Sequence, residues 1–400
     1  MSTDSGGIRP SLTFEDIYGP GRVYCPRASL SLPGWLPQAP GARDASTGSM
    51  LSVQGGMPGV ASSGAAMEEG LEILAESGVP VRARIHRVWD PADTLPTLRR
   101  LSAEGLRLAF QFVHPPEEVP PEAYWIPPDL LRFLNHKASL DRLVPAEFLP
   151  ERKVLPLECL RDSAALLANG PVALKAASSL ASGGGNDVRI CRTPADAEAA
   201  RGALAEAESI VVERLFEIRR DLCVQFAILP SGEAAFLGAA EQITDAAGRY
   251  KGNWFEPGRA VEPEAIEAGR RITEKAAAMG YRGIAGFDMA FCADGRLRVY
   301  DLNFRVNGST AGLLLQHALA KAREFAIFRS RAFRDPRGFG SLLACARAAV
   351  RRGLLVPLGF YDPRILCEAC APRVLAIVGG GTREEIAERE KEIAGLGLLC

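Results

Sequence analysis

The stretch GFDMAFCADGRLRVYDLNFRVNGST, residues 286–310, places four polar side chains in two otherwise apolar, strand-like runs. Asp294-Gly295 at its centre is typical of a two-residue type I′ turn, because both central residues of that turn need a positive φ. With this turn the two runs pair as an antiparallel hairpin in which Asp288 directly faces Asp301. The hairpin would hold the Cβ atoms of these two carboxylates about 5 Å apart.

The same register, which also places Phe291 opposite Arg298, gives the hairpin one polar and one apolar face, because side chains alternate along a strand. The predicted apolar face, which we expect to be a core face, carries Phe287, Met289, Phe291, Tyr300, Leu302 and Phe304. The predicted polar face carries Asp288, Asp301, Asn303 and Arg305.

The polar face needs a compensating charge, because like charges directly opposite each other destabilise a sheet. A hard cation such as Mg²⁺ provides it, since it takes oxygen ligands and shares them with phosphate oxygens. Asn303 adds a neutral oxygen ligand, and Arg305 adds a fixed positive charge for an anionic group. The hairpin therefore predicts a metal–phosphate site, with an ordinary solvated strand face as the alternative.

Length and composition indicate a globular protein of two or three domains. The chain has 400 residues, of which 47% are hydrophobic, and 47 Lys and Arg stand against 48 Asp and Glu. This balance gives no basic field for nucleic acid, and no run reaches the roughly 18 apolar residues of a membrane span. The nine cysteines are odd in number and scattered, and CEAC at 367–370 has no second pair, which fits free thiols. With no signal-peptide pattern at the start, we expect a cytoplasmic protein.

Turn residues and hydrophobic periodicity divide the chain into α/β segments. Residues 1–66 are rich in Gly, Pro and Ser and predict no regular elements, whereas two helices and two strands follow before a Pro-rich boundary. The fold class is therefore α+β, with an N-terminal α/β lobe at 1–128, a central domain at 129–335 and a small C-terminal α/β lobe at 336–400. Within the central domain, a mixed and largely antiparallel sheet is expected, and residues 244–260 are expected to form a loop.

A lysine and a run of glycines mark a second candidate site. In PVALKAASSLASGGGND, Lys175 lies on a predicted strand just before a glycine-rich loop, residues 178–187. This is not a P-loop, because the lysine precedes the glycines and a strand follows them. A buried ammonium group requires an anion, and the backbone N–H groups of such a loop can bind phosphate. The alternative is an ordinary mobile surface loop.

The order of these motifs resembles the ATP-grasp superfamily: a lysine before a glycine-rich loop, then VVERLFE at 211–217, then a carboxylate hairpin that ends in D-x-N-x-R. The resemblance covers about residues 130–320. It implies that two α/β lobes grip ATP, with Mg²⁺ as the second cofactor. In its N-terminal region and its small C-terminal lobe, the chain is also similar to ATP-grasp peptide ligases of the pheganomycin type.

The resemblance implies a role for each candidate residue. The predicted contacts to ATP are Lys137, Lys175, the loop residues Ser182, Gly183 and Gly184, the hinge residues Glu213, Arg214 and Leu215, which hold adenine through their backbone, and Glu217 on the ribose. The predicted Mg²⁺ ligands are Asp288, Asp301 and Asn303, and the predicted catalytic residues are Arg305 and Lys175. The family usually has glutamate at the position of Asp301, so one or two bound Mg²⁺ ions both stay possible.

Structural alternatives remain for several of these residues. Lys137 is equally well explained as a solvated lysine on a helix, and Arg214 as a structural residue. Glu217 and Asp221 are close enough in sequence to pair with the neighbouring arginines Arg219 and Arg220. The ordered set of lysine, two aspartates and asparagine is more specific than any one of its members.

The resemblance implies an enzyme that phosphorylates a carboxylic acid with ATP and lets an amine attack the acyl phosphate, which releases ADP and phosphate. Its partners would be a small carboxylic acid and an amine, such as amino acids or peptides, with a homodimer as the expected assembly. The alternatives are a biotin-carboxylase-like enzyme that forms carboxyphosphate and a nucleotide-binding protein without catalysis. Arg249, Lys251 and Trp254 either contact substrate or shape the 244–260 loop.

Overall fold

The computed structural model describes residues 7–32, 34–39, 41–245, 248–366 and 368–400, so that Cys367 of the CEAC motif lies outside the described residues. The strands, in chain order, are β1 (Arg22–Cys25), β2 (Gly59–Ser62), β3 (Ile85–Val88), β4 (Arg107–Phe110), β5 (Arg152–Leu155), β6 (Val172–Ala177), β7 (Val188–Cys191), β8 (Ser209–Arg214), β9 (Ile218–Ile228), β10 (Ala234–Thr244), β11 (Tyr250–Phe255), β12 (Gly283–Cys292), β13 (Leu297–Asn303), β14 (Ile327–Arg334), β15 (Val356–Tyr361) and β16 (Arg373–Gly380).

The α-helices are α1 (Phe14–Tyr18), α2 (Ala42–Ser46), α3 (Glu68–Glu76), α4 (Thr94–Ala103), α5 (Pro128–Asn135), α6 (Leu140–Leu143), α7 (Ser163–Leu167), α8 (Pro194–Ala203), α9 (Pro263–Ala278), α10 (Thr310–Arg323), α11 (Phe339–Arg351) and α12 (Arg383–Gly395). Within the described ranges, every helix is too short or too polar to span a lipid bilayer.

A parallel sheet of order β3-β2-β1-β4 forms the N-terminal lobe. The sequence predicted β3 and β4 but neither β1 nor β2, which lie in the Gly-rich first 66 residues. Both missed strands are four residues long, and β2 is buried on both faces, so neither shows an alternating pattern. The N-terminal lobe is therefore a βαβ-type layer whose first half is too short to be read from hydrophobic periodicity.

A small antiparallel sheet of order β5-β8-β6-β7 carries Lys175 and the glycine-rich loop. The loop connects β6 to β7, as expected. Helix α8 covers this sheet with Ala197 and Ala200, and Thr193 caps the helix by accepting a hydrogen bond from the Asp196 amide. The small sheet thus forms one wall of the space that faces the hairpin.

The central sheet has eight strands in the order β13-β12-β9-β10-β11-β14-β16-β15. Helix α9 packs on the face of Phe287 and Met289, and helix α10 packs on the opposite face with Ile284. Strand β11 lies inside the segment expected to be a loop, where it pairs with β10 and β14. The strands of residues 336–400 extend this same sheet, so the predicted C-terminal lobe shares its sheet with the central domain.

The central pairing of the β12–β13 hairpin is as expected, since Asp288 faces Asp301 and Gly286 faces Asn303. The turn is different. Residues 293–295 form a three-residue turn, so Phe291 pairs with Leu297 and not with Arg298. Gly295 at the end of the turn has a φ of 80°, which is typical of a three-residue hairpin turn that ends in a left-handed glycine.

An extra residue in β13, Tyr300, restores the register after this longer turn. Asp288 pairs with Asp301 and Met289 pairs with Val299, so Tyr300 is the additional residue of a β-bulge. The bulge moves Tyr300 from the predicted core face to the polar side of the hairpin, and Val299 is buried in the core instead. The turn and the bulge each shift the pairing by one residue, and the two shifts cancel at the carboxylates.

We predict that Gly295→Ala lowers the free energy of unfolding by about 1 kcal/mol, because an L-residue is disfavoured at a positive φ. A Cβ at this position would meet no atom within 4 Å, so backbone strain is the whole cost. Gly258→Ala is the matched control, since its Cβ also has open space and its φ is ordinary. The measurement is urea denaturation, and equal midpoints for the two variants would contradict the left-handed conformation of residue 295.

Candidate active site

A cavity of about 300 Å³ lies between the small sheet and the polar side of the β12–β13 hairpin. Nearly all of the residues predicted to act in the site line it. These are Lys137, Lys175, Ser182, Gly183, Gly184, Glu213, Arg214, Leu215, Asp288, Asp301, Asn303 and Arg305. Apolar side chains complete the wall: Ile190 on β7, Phe216 just after β8 and Ile218 at the start of β9.

The two opposed carboxylates are in different electrostatic environments. Burial, followed by the charges of Asp301 and Asp221, raises the pKa of Asp288. The side chain of Asp301 is 24% exposed, and although burial alone would raise its pKa, the charges of Lys137 and Lys175 lower it. The repulsion across the hairpin is therefore reduced on one side by cations that come from other parts of the chain.

Lys137 begins a short 3₁₀ turn after α5 and points into the cavity. Its Nζ lies 2.8 Å from Asp301 Oδ1 and 3.2 Å from Asp187 Oδ2. Burial alone would lower the pKa of Lys137, but the charges of Asp187 and Asp301 raise it. The alternative of a solvated helix lysine is wrong. Sequence analysis missed the role of the buried Asp187, although an acidic residue at the end of the glycine-rich loop was a visible signal.

Lys175 is the charged residue of a strand in which all six residues are buried. Its Nζ donates to Glu213 Oε1 at 2.7 Å and to the carbonyl oxygen of Tyr300 at 2.8 Å. Glu213 Oε2, also buried, has no hydrogen-bond partner within the described residues. The anion that the buried ammonium requires is therefore a protein carboxylate, whereas sequence analysis had considered only the backbone of Glu213.

The bulge residue Tyr300 organises a polar group that sequence analysis missed. Its hydroxyl donates to Asp221 Oδ1 at 2.5 Å, and Gln242 Nε2 donates to the Tyr300 oxygen at 3.1 Å. Burial raises the pKa of Asp221 to about 6, against the lowering effect of the hydrogen bonds that its carboxylate accepts from Tyr300 and Gln242. Asp221 lines the cavity. The neighbouring Arg220, which the sequence offered as a partner of Asp221, donates to Glu262 instead. No sequence signal shows a bulge, so this group was not predictable.

Arg305 lies where three parts of the chain meet. Its Nη2 donates to the carbonyl oxygen of Ser182 at 3.1 Å, and its guanidinium group is 5.4 Å from the ring centroid of Phe112. Asn307 Nδ2 donates to the backbone carbonyl oxygen of Arg305 at 3.0 Å. A Cβ on Gly286 would stand 2.2 Å from that Asn307 nitrogen, so the hairpin needs glycine where this loop crosses it.

The predicted hinge lies at the end of β8. The backbone amides of Arg214 and Leu215 already donate to carbonyl groups next to β5 and β6. Arg214 Nη1 donates to Gly170 O at 2.9 Å, which is the structural role that the sequence left open. Glu217 is exposed and lies outside the cavity lining, so the structure does not bring this predicted ribose contact to the site.

The segment of β11 contributes different residues from those expected. Arg249 and Lys251 form ion pairs with Asp245, at 3.1 and 3.3 Å. The Trp254 ring centroid lies 4.7 Å from an arginine guanidinium group on β14 and 4.8 Å from one on α12. The cavity is lined instead by Asn253, which is fully buried. Asn253 Nδ2 has no hydrogen-bond partner in the part of the chain that the structure describes, which leaves a buried donor for a ligand.

The candidate metal ligands fit Mg²⁺ held together with a nucleotide. Among the described residues, no three His, Cys, Asp or Glu side chains form a ready-made metal cluster. Asp288, Asp301 and Asn303 offer two carboxylates and one amide oxygen. Mg²⁺ is commonly held by one or two carboxylates, with substrate phosphates and water as its other ligands. The donor set is therefore incomplete for a resident ion and suitable for one that arrives with phosphate groups.

Comparison with known proteins gives the family and the fold of the chain. Two domain models match the chain, and both describe L-aspartate--L-methionine ligase: its N-terminal domain at residues 13–132 and its ATP-grasp domain at residues 150–303. A solved ADP complex of N5-carboxyaminoimidazole ribonucleotide synthetase is similar over 96% of this chain and 98% of that one, with 16% identity and a TM-score of 0.58.

Two further solved structures have the same fold. N5-carboxyaminoimidazole synthase from Aspergillus clavatus is 12% identical, covers 95% of this chain and 99% of that one, and has a TM-score of 0.55. Biotin carboxylase from Campylobacter jejuni is 12% identical, and the similarity covers 95% of this chain and 91% of that protein, with a TM-score of 0.55. These low identities show the fold alone.

The fold and the matched central domain define an ATP-grasp enzyme that binds ATP. Within this class, the chain belongs to the carboxylate–amine ligases, which are ADP-forming. The α+β fold class, the ATP-grasp resemblance and the enzyme class expected from the sequence are thus confirmed.

We predict that Lys175→Met destabilises the protein by about 3–5 kcal/mol, because it leaves Glu213 buried and unpaired. The double variant Lys175→Met/Glu213→Gln should regain most of this stability and still bind ATP at least about tenfold more weakly. Thermal unfolding and calorimetric titration with ATP separate the two effects. Full ATP affinity in the double variant would contradict a role of Lys175 in holding the nucleotide.

Proposed function

We propose that this ligase uses ATP and Mg²⁺ to join L-aspartate to L-methionine through an acyl phosphate. The description shared by the two matched domain models supports these substrates. The observation that carries the chemistry is the opposed pair of Asp288 and Asp301, which shares one cavity with two lysines and Arg305. A site of this kind performs phosphoryl transfer by positioning and electrostatic stabilisation, without a nucleophilic side chain.

Each side chain of the cavity has a defined task in this proposal. Asp288, Asp301 and Asn303 would hold Mg²⁺, which would neutralise charge on the phosphoryl oxygens. Arg305 steadies the transferred phosphate, because it lies beside these ligands at the end of the hairpin. The backbone N–H groups of the glycine-rich loop, apart from that of Gly183, which donates to Trp35 O, cover the phosphates, with Lys137 and Lys175 beside them.

The apolar part of the cavity wall suits the nucleotide base. Ile190, Phe216 and Ile218 provide apolar surface next to the predicted hinge, and the hinge amides are engaged within the small sheet. Backbone recognition of adenine by Arg214 and Leu215 would therefore use their carbonyl groups. Because Glu217 is exposed, the sugar would have to rely on other polar groups of the lining.

The alternatives receive less support. Biotin carboxylase shares the fold at 12% identity, and a likeness of fold at this identity does not indicate that the chain forms carboxyphosphate. A nucleotide-binding protein without catalysis would have no need of two half-buried carboxylates that repel each other. A homodimer and a cytoplasmic location remain predictions from the sequence alone.

We predict that hydroxylamine intercepts the acyl phosphate, because a small and strong nucleophile can replace the amine substrate. With MgATP and L-aspartate, the enzyme should form a hydroxamate and an equal amount of ADP, detected by the ferric hydroxamate colour and by a coupled ADP assay. Release of AMP and pyrophosphate would contradict acyl phosphate formation. A hydroxamate from a different acid would contradict the proposed substrate and leave the reaction class intact.

We predict that Asp301→Asn lowers Mg²⁺-dependent hydroxamate formation by at least about 100-fold, because it removes a ligand charge from the metal site. The fold should be retained, since Lys137 keeps Asp187 as its partner and the change removes the repulsion with Asp288. Asp294→Asn in the turn of the same hairpin is the matched control and should keep its activity, because this carboxylate is exposed. A fully active Asp301→Asn enzyme would refute the proposed metal site.

A further inference from the structure

The glycine-rich loop borders two neighbouring cavities. Residues 182–185 line the 300 Å³ cavity, and residues 178–182 line a second cavity of about 40 Å³. Lys137, Asn303 and Arg305 line both, so the two spaces meet at the proposed phosphate site. The position of the loop therefore sets the shape of the site on both sides of Arg305.

The Trp35 segment (residues 34–36), which follows β1 of the N-terminal lobe, holds this loop from outside. The Trp35 N–H donates to Ala181 O at 2.8 Å, and the Gly183 N–H donates to Trp35 O at 3.3 Å. These two bonds form a parallel β-bridge between Trp35 and Ser182. The N-terminal lobe is thus joined by backbone hydrogen bonds to the part of the loop that covers the cavity.

The close approach of the two backbones depends on Gly34. Its φ is 57°, and a Cβ there would stand 2.2 Å from Ala181 O. The indole of Trp35 packs against the core of the small sheet, and its Nε1 donates to Ala203 O at 3.4 Å. The segment therefore contacts both the loop and the sheet that carries it.

The chain that leads into the Trp35 segment is fixed to the N-terminal lobe. Ser29 Oγ and Ser31 Oγ donate to Glu118 Oε1 at 2.8 and 2.5 Å. The other Glu118 oxygen lies 2.8 Å from Nδ1 of His114, which is buried beyond the end of β4. These contacts anchor residues 29–31, which come shortly before the Trp35 segment, to the N-terminal lobe.

We propose that Gly34 and Trp35 are positioning residues of the ligase, which fix the glycine-rich loop over the site and thereby keep water from the acyl phosphate. The consequence for catalysis rests on the proposed function. If the loop opens, a water oxygen bonds to the acyl carbon and the bond from that carbon to the phosphate oxygen breaks. The acid and inorganic phosphate leave and one proton is released, so the net reaction is hydrolysis of ATP without amide formation.

The first test concerns the bridge itself and needs no substrate. Gly34→Ala places a Cβ against Ala181 O, whereas Gly21→Ala is the matched control, because Gly21 also has a positive φ (76°) but open space around its Cβ. By hydrogen exchange and mass spectrometry, peptides with the amides of Trp35 and Gly183 should exchange about tenfold faster in Gly34→Ala only. Unchanged exchange in a folded Gly34→Ala protein would overturn the proposal.

The second test measures ADP formed per amide product. The wild-type enzyme and Gly21→Ala should form one ADP per product, and Gly34→Ala should form at least about three, because the exposed intermediate is hydrolysed. A purely structural defect would lower both rates and leave the ratio at one, which would overturn the proposal. If Gly34→Ala does not fold, Trp35→Ala replaces it, with the same expected ratio.

A wild-type enzyme that makes no product would instead refute the proposed function. The exchange test would still decide whether the bridge exists.

Discussion

Two carboxylates that face each other across one hairpin, Asp288 and Asp301, impose the constraint on which the rest of the site depends. Such a pair is unfavourable by itself, and the chain compensates it with cations from distant segments. Lys137 reaches Asp301 from 164 residues earlier, and Lys175 reaches the neighbouring Tyr300 carbonyl from 125 residues earlier. The small sheet meets the hairpin through Lys175, and the cavity lies between the two.

Sequence reasoning found this pair by a route that was partly wrong. The alternation of polar and apolar residues and the Asp-Gly turn signal gave the correct facing of Asp288 and Asp301, although the turn has three residues and β13 contains a bulge. The bulge at Tyr300 is stabilised by Asp221 and Gln242, which are far away in sequence. A local pattern cannot contain that information, so the position of Tyr300 on the polar side was beyond prediction.

The missed elements and partners share a physical cause. The strands β1 and β2 have four residues each, too few for a periodic pattern, and β11 lies in a segment with the glycines and charges of a loop. Lys175 was found from its own surroundings and Lys137 from the family resemblance, but their carboxylate partners Glu213 and Asp187 were not recognised as such. An ion pair inside a protein is set by tertiary packing, and a single sequence shows only that a buried lysine needs some anion.

Those ion pairs change the interpretation of the lysines. The described lining of the cavity contains five carboxylates, those of Asp187, Glu213, Asp221, Asp288 and Asp301. Glu213 already neutralises Lys175, Lys137 is shared between Asp187 and Asp301, and the guanidinium group of Arg214 is directed to a carbonyl oxygen. A nucleotide would thus add several negative charges to a site with little cationic charge to spare, and at short distances this repulsion is large.

Under the proposed function, the nucleotide must bring its divalent cation with it. Lys137 can turn to a phosphate oxygen only when another cation takes its place beside Asp301. In this proposal, Lys137 would hold Asp301 in position until a metal ion binds there, and would act on the phosphates only after that.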